Sequence, residues 1–140
     1  MTSANQSLSA VLVITLLFGC GTGPDSTITF CEAVTELKDI DELSLEVSPS
    51  DDAAVRGALA QTAAQAARVA REAPLEIQAD AEFVAAFVLA LTNAVNDTEV
   101  GTLERSAALG AAQQQFEGQL AESVENLSAF IARTCSPAPS

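Results

Sequence analysis

The stretch DDAAVRGALAQTAAQAARVAREA, residues 51–73, decides the fold class of this chain. Apolar and small side chains recur in it at spacings of four and three, which places them along one side of an α-helix. The members of this seam are Val55, Leu59, Thr62, Ala66, Val69 and Ala73. We expect Ser48 to act as the N-cap, Pro49 to occupy the first helical position and Pro74 to end the helix. The stretch therefore predicts a helix of about 26 residues, with one seam facing a partner helix.

A shorter helix is predicted upstream of this stretch. The segment 29–32, Thr-Phe-Cys-Glu, has the form of a capping box, which marks the start of a helix. Phe30, Val34 and Leu37 follow at helical spacing and form one apolar side. We expect this helix to end within residues 39–47, where acidic and aliphatic side chains alternate and an extended conformation is an alternative.

Two further helices are predicted downstream. Pro74 is suited to open the third, which contains nine successive apolar residues at 83–91 and should therefore lie in the middle of a bundle. A run of nine is too short to span a membrane. Residues 93–101 supply a turn, and 102–134 form the last helix, which Gly110 can split in two. The side chains expected to face inward are Phe116, Leu120, Leu127 and Ile131.

Composition agrees with a helical domain. Hydrophobic residues make up 49% of the chain, with alanine the most frequent of them, whereas aromatic residues make up 4%, a balance that favours close-packed helices over a sheet. Short loops between long helices favour antiparallel neighbours. We therefore predict an all-α, up-and-down bundle of about four helices as a single domain at 28–135, with a disordered tail at 136–140.

The net charge and the residue types present exclude or disfavour several classes of function. The chain has no histidine, which excludes histidine-dependent catalysis and the usual zinc and haem sites. A net charge of -13, from 19 acidic and 6 basic residues, opposes binding to nucleic acid. A calcium site at Asp39-x-Asp41-Glu42 is disfavoured, because Leu43 stands where a third oxygen ligand is needed. We expect no cofactor, no metal site and no catalytic residues.

The amino-terminal residues carry an export signal. The apolar stretch 8–18 has the length of a signal-peptide core. It ends in Leu17-Phe18-Gly19-Cys20, which resembles the lipobox of bacterial lipoproteins. The resemblance implies a signal peptide at 1–19, lipidation of Cys20, a flexible tether at 20–27 and attachment to the extracytoplasmic side of the cell membrane. The alternatives are a secreted protein without lipid and a buried N-terminal helix.

Three short motifs carry a second resemblance. They are Phe30-Cys31-Glu32-Ala33, Ala73-Pro74-Leu75-Glu76-Ile77 and the segment 130–135, Phe-Ile-Ala-Arg-Thr-Cys. Their order resembles that in small exported all-helical proteins of actinobacteria. The resemblance implies a helical fold and a disulfide, and it implies no known activity.

The cysteines can also be assigned from the residues themselves. Export places the chain in an oxidising compartment, and Cys20 is used by the lipid, so that Cys31 and Cys135 are left as a pair. An even number of antiparallel helices brings the first and last helix termini to the same end. We predict a disulfide between Cys31 and Cys135; the alternative is that both are small buried hydrophobic residues.

These observations predict a non-enzymatic, lipid-anchored protein of the cell envelope that acts as a binding or structural module. Its expected partners are the membrane, through the lipid on Cys20, and an unidentified envelope protein. The alternative is a carrier that holds a small apolar ligand between its helices, with residues 83–91 lining the cavity. A purely surface role is expected for Arg68 and Glu72, which are four residues apart on one helix.

Overall fold

The computed structural model describes the backbone of residues 24–44 and 51–135 and the side chains of residues 26–37 and 51–135. Within these ranges the chain forms four α-helices and no strand, which confirms the predicted all-α class. The helices are α1 (Pro24–Ser44), α2 (Asp52–Glu72), α3 (Gln78–Asn96) and α4 (Leu103–Thr134). The predicted signal peptide, Cys20 and the tail at 136–140 lie outside the described residues.

Successive helices pack side by side in an antiparallel order. Helix α2 contacts α1 and α3, α3 contacts α4, and α4 returns to a smaller contact with α1. The start of α2 meets the end of α3, where Arg56 donates to the carbonyl of Asn96 at 2.8 Å. The middle of α3 meets the middle of α4, where the rings of Phe83 and Phe116 lie 5.2 Å apart. These contacts agree with up-and-down connectivity.

Helix α1 starts earlier than predicted and ends at Ser44, within the predicted range of 39–47. It begins at Pro24 and runs through the acidic stretch to Ser44. Proline suits the first turn because the N–H groups there have no partner within the helix. Thr29 therefore lies inside the helix, and its hydroxyl donates to the carbonyl of Ser26 at 3.0 Å. The predicted cap at Thr29 is wrong, and residues 24–27 of the predicted tether are helical.

The predicted start of α2 is also wrong, whereas its seam is confirmed. Asp51 is the N-cap, and its carboxylate accepts a hydrogen bond from the N–H of Ala54 at 3.1 Å. The helix ends at Glu72 because Ala73, which precedes a proline, is extended. Every seam residue from Val55 to Ala73 is at least half-buried.

Pro74 begins a turn and not a helix. The N–H of Ile77 donates to the carbonyl of Pro74 at 2.9 Å, and α3 starts at Gln78. Helix α4 is continuous over 32 residues and is not split at Gly110, a point that the sequence left open. Thr102 caps α4 by accepting from the N–H of Arg105 at 3.1 Å.

The main buried cluster lies at one end of the bundle. The rings of Phe30 in α1 and Phe130 in α4 meet edge to face, 5.7 Å apart. The members of the cluster are Phe30, Ala33, Val34, Val69, Ile77 and Phe130. Of the four inward residues predicted for α4, Phe116 is buried and the other three are half-buried. Phe130 was not predicted, although it lies one helical turn from Leu127.

Helix α3 is not the central helix that its composition predicts. None of residues 83–91 is buried, and Leu89 is 52% exposed. The reason is that α3 contacts α2 and α4 and has no contact with the described part of α1. A helix with neighbours on two sides leaves its remaining side in solvent. The residues that α3 does bury lie nearer its ends: Ala81, Thr92, Ala94 and Val95.

Candidate functional site

The predicted cysteine pair meets at one end of the bundle. The sulfurs of Cys31 and Cys135 lie 2.05 Å apart and their Cα atoms 5.3 Å apart, across a sequence separation of 104 residues. Both residues pack against the cluster that contains Phe30 and Phe130. We call this region, where α1 and α3 begin and α2 and α4 end, the disulfide end. Cys20, the predicted lipidation site, is outside the described residues.

The opposite end contains a polar network that the sequence did not reveal. It is built around Arg105 in the first turn of α4, whose side chain is 11% exposed. Arg105 donates to the carboxylate of Asp52 at 2.6 Å, to the carbonyl of Val95 at 3.0 Å and to that of Thr98 at 2.6 Å. It also donates to the hydroxyl of Thr98 at 3.2 Å. This arginine therefore joins the starts of α2 and α4 to the end of α3.

A second arginine completes the network. Arg56 donates to Asp52 at 2.7 Å and to the carbonyls of Asn96 and Thr98 at 2.8 and 2.7 Å. We call Asp52, Arg56, Thr98 and Arg105 the arginine network, and this region the arginine end. The carbonyls that it binds lie at the C-terminus of α3, where backbone acceptors lack helical partners and where positive charge is favoured.

The network changes the acidity of its carboxylate. Hydrogen bonds from Arg105 and then Arg56 hold the pKa of Asp52 below its usual value of 3.8. The carboxylate is therefore ionised and occupied by two guanidinium groups, a state suited to joining helices. The spacing of Asp52 and Arg56 was a possible signal in the sequence. Arg105 had no such signal, because its partners lie in α2, in α3 and in the loop that follows α3.

Arg68 pairs differently from the prediction. It donates a hydrogen bond to Glu36 in α1, and this contact raises the pKa of Arg68. Glu72 acts on Arg68 only through a weaker charge interaction. The pair thus connects α1 and α2 and does not decorate a single helix. Its side chains are 39% and 49% exposed.

The exposed side of α3 is bordered by two open grooves. The α3–α4 groove has a volume of about 700 Å³. Its apolar residues include Phe87, Leu120 and Val124, and its polar ones are Gln113, Gln114 and Glu117. Gly110 also lines it, and a Cβ atom placed there would have no neighbour within 4 Å. This combination of apolar and amide side chains suits an amphipathic molecule.

The α2–α3 groove is smaller and is made mainly of alanine. Its volume is about 490 Å³, and no charged residue lines it. Its alanines are Ala60, Ala63, Ala64, Ala67, Ala85 and Ala86. Leu89, Thr92 and two asparagines complete the lining. Both grooves lie at the surface and not between four helices, where the sequence placed a possible ligand cavity.

Other features of the described residues bear on metal and membrane sites. No cluster of three or more Cys, Asp or Glu residues suited to a metal ion occurs among them. The side chains of Asp39, Asp41 and Glu42 are not described, but their backbone is helical and does not form a calcium-binding loop. One helix of the described ranges, α3, has the length and apolar composition of a membrane span. It is longer than the run at 83–91, and Thr92 donates a hydrogen bond from it to the carbonyl of Leu59 in α2 at 3.3 Å.

One hydroxyl is buried without a hydrogen bond. Ser123 in α4 is fully buried, and its Oγ has no partner among the described residues. Such a group costs free energy, because it loses its water and gains no replacement.

Comparison of the chain with protein-family models, curated proteins and solved structures gives no match.

Proposed function

We propose that this chain is a non-enzymatic lipoprotein of the bacterial cell envelope, whose helical domain is held at the extracytoplasmic side of the membrane by lipid on Cys20. In this proposal the signal peptide at 1–19 is removed and the domain acts as a binding module. The lipobox resemblance at Leu17–Cys20 is its sequence basis.

The observation that carries the proposal is the meeting of Cys31 and Cys135. Two sulfurs at disulfide-bond distance, 104 residues apart in sequence, suit a protein that resides outside the reducing cytoplasm. The position of this pair near the start of α1 also fits an anchor at Cys20. Only three residues lie between Cys20 and Pro24, the first residue of α1, so a fully extended link of four Cα–Cα steps would reach about 14 Å.

The binding role is supported by the surface of α3. A helix with Leu89 half-exposed and a groove on each side offers contact area that includes a single charged residue, Glu117, in a chain of net charge -13. The arginine network and the cysteine pair hold the two ends of the helices, which leaves this surface on a rigid support. The partner we propose is an envelope protein that docks at the α3–α4 groove.

The anchor is tested by Cys20→Ala in the full chain expressed in a bacterium. We expect the wild type in the membrane fraction, extracted by detergent and not by salt or alkali. The variant should remain unprocessed or lose its lipid. Cys31→Ala with Cys135→Ala is the matched control, which removes two other cysteines and should stay lipidated. Equal lipidation of the wild type and Cys20→Ala would refute the anchor.

The binding role is tested by crosslinking the anchored protein in its own envelope. A photoreactive residue at Val124, which is 45% exposed in the α3–α4 groove, should capture a protein other than a second copy of this chain, whereas one at Ala111, an exposed position on α4, should not. Identical crosslinks from both positions would argue against a specific surface at the α3–α4 groove.

A second candidate function is a carrier of a small apolar or amphipathic ligand, and the α3–α4 groove favours it. Because the space beside Gly110 is open, Gly110→Leu should fill part of the groove without disturbing α4. A fluorescent fatty acid is a suitable probe. The carrier function requires saturable binding that Gly110→Leu weakens and that Gly118→Leu, at another open position on α4, leaves unchanged.

A further inference from the structure

The outer sides of α2 and α3 form one continuous surface without charge. Exposed small or uncharged residues follow each other at spacings of three and four on both helices. We call them the neutral face: Gly57, Ala60 and Ala64 on α2, and Ala86, Leu89 and Asn93 on α3. They are distinct from the inward seam of α2. The helix therefore carries two seams, of which the described helices cover one.

This surface departs from the rest of the chain in charge. No Asp, Glu, Lys or Arg occurs at 57–67 in α2 or at 83–96 in α3. The outer side of α4, by contrast, exposes Glu104, Glu117, Glu122 and Glu125, and α1 exposes Glu32 and Glu36. Two copies of a chain with net charge -13 repel each other wherever such faces approach. The neutral face is where that repulsion is weakest.

The neutral face contains both a recess and an exposed apolar side chain. The α2–α3 groove, of about 490 Å³, is walled by methyl groups, which permit close approach of another helix. Leu89 stands at its edge with 52% of its surface exposed. A protruding apolar side chain and a recess for one therefore lie on the same surface. In a pair related by a two-fold axis, a protrusion of one copy that meets the recess of the other is matched by the reciprocal contact.

We propose that the neutral face is a self-association surface, at which two copies of this chain pair about a two-fold axis and Leu89 of each enters the α2–α3 groove of the other. The pairing depends on α2 and α3 alone and does not rest on the lipid anchor. Asn93, a polar residue within the seam, would favour one register over its neighbours, as single polar residues do in coiled coils.

The experiment is the molar mass of the full chain in a mild detergent, measured by sedimentation velocity across micromolar to submillimolar concentrations. Refractive-index detection is needed because the chain has no Trp or Tyr. We expect a monomer–dimer equilibrium. Leu89→Glu and Ala64→Glu each place a carboxylate in the interface and should raise the dimer Kd by more than about tenfold.

Matched variants separate the surface from general effects of charge. Ala111→Glu adds the same charge at an exposed alanine of α4 and should leave the Kd unchanged. Leu89→Met keeps an apolar side chain of similar volume and should also dimerise. Far-UV circular dichroism identifies any variant that fails to fold. If Leu89→Glu does not fold, Ala64→Glu provides the test. A wild-type monomer at all concentrations, or a dimer that survives both glutamates, would overturn the proposal.

Discussion

Different interactions hold the helices together at the two ends of the bundle. At the disulfide end, Phe30 and Phe130 are buried against each other beside two cysteines at bonding distance. At the arginine end, the closure between helices is polar, and two guanidinium groups bind one carboxylate and the carbonyls at the end of α3. Apolar burial and a covalent link tolerate acid and salt, whereas an ionic network does not. The contacts at the two ends should therefore be lost under different conditions.

The largest effect is expected at the disulfide end. Replacing Cys31 and Cys135 together by alanine opens a loop of 104 residues. The lost constraint on the unfolded chain should lower the free energy of unfolding by about 2–5 kcal/mol. Urea unfolding followed by far-UV circular dichroism measures it. Reducing agent should destabilise the wild type and leave the double variant unchanged; equal stability of both proteins would contradict the cross-link.

The next effect is expected at the arginine end. Arg105→Met removes the hydrogen bonds to Asp52, Val95 and Thr98 while keeping most of the side-chain volume. Because the carbonyl of Val95 loses this donor and Asp52 loses one of its two guanidinium partners, the free energy of unfolding should fall by about 2–3 kcal/mol. Arg133→Met is the matched control, since Arg133 is 67% exposed and lies 3.9 Å from Glu76. It should change stability by less than about 1 kcal/mol. Similar losses in both variants would contradict a special role for the network.

Acid should destabilise the arginine end more than the disulfide end. The folded-state pKa of Asp52 lies below its ordinary value of 3.8, so its contribution is complete above that value. As the pH falls, the unfolded state binds a proton first, and the contribution is lost down through the lower folded-state pKa. Asp52→Asn should therefore be less stable than the wild type at neutral pH, and the difference should shrink below about pH 4.

Urea unfolding at a series of pH values, for both proteins, measures this difference. Other carboxylates titrate in both proteins and cancel. A difference that stays constant from neutral pH into acid would show that the network does not depend on the charge of Asp52.

The smallest effect concerns the middle of α4, between the two ends. Ser123→Ala removes a buried hydroxyl that has no partner among the described residues. We expect the free energy of unfolding to rise by about 1 kcal/mol more than in Ser128→Ala, an exposed serine of the same helix. Thermal unfolding of both variants measures this comparison. A loss of stability in Ser123→Ala would indicate that the hydroxyl has a role.

The same contrast explains how far sequence could predict this molecule. The disulfide end follows from local signals, because Phe30 and Val34 repeat at helical spacing and even helix number brings the cysteines together. The arginine network depends on Arg105 and Asp52, which are 53 positions apart and unmarked by any period. The exposed side of α3 was missed for another reason. Residues 83–91 are apolar in every direction, so that their pattern specifies no face.

The starts of α1 and α2 were predicted wrongly because more than one residue near each start can act as a cap. Asp51, and not Ser48, caps α2, and Pro24, and not Thr29, lies at the start of α1. Several Ser, Thr and Asp residues near a helix start are all capable of capping, and packing decides between them. The identity of the groove-lining residues followed only from the placement of α3 beside α2 and α4.

We propose that this chain is an exported, lipid-anchored domain closed by a disulfide. Intact-mass spectrometry of the protein extracted from bacterial membranes, before and after reduction, tests the lipid and the disulfide together and is the most direct measurement. We predict a chain that begins at Cys20 with lipid attached and whose mass rises by that of two hydrogen atoms on reduction. A chain with an unmodified first residue other than Cys20, or a mass that reduction does not change, would contradict it.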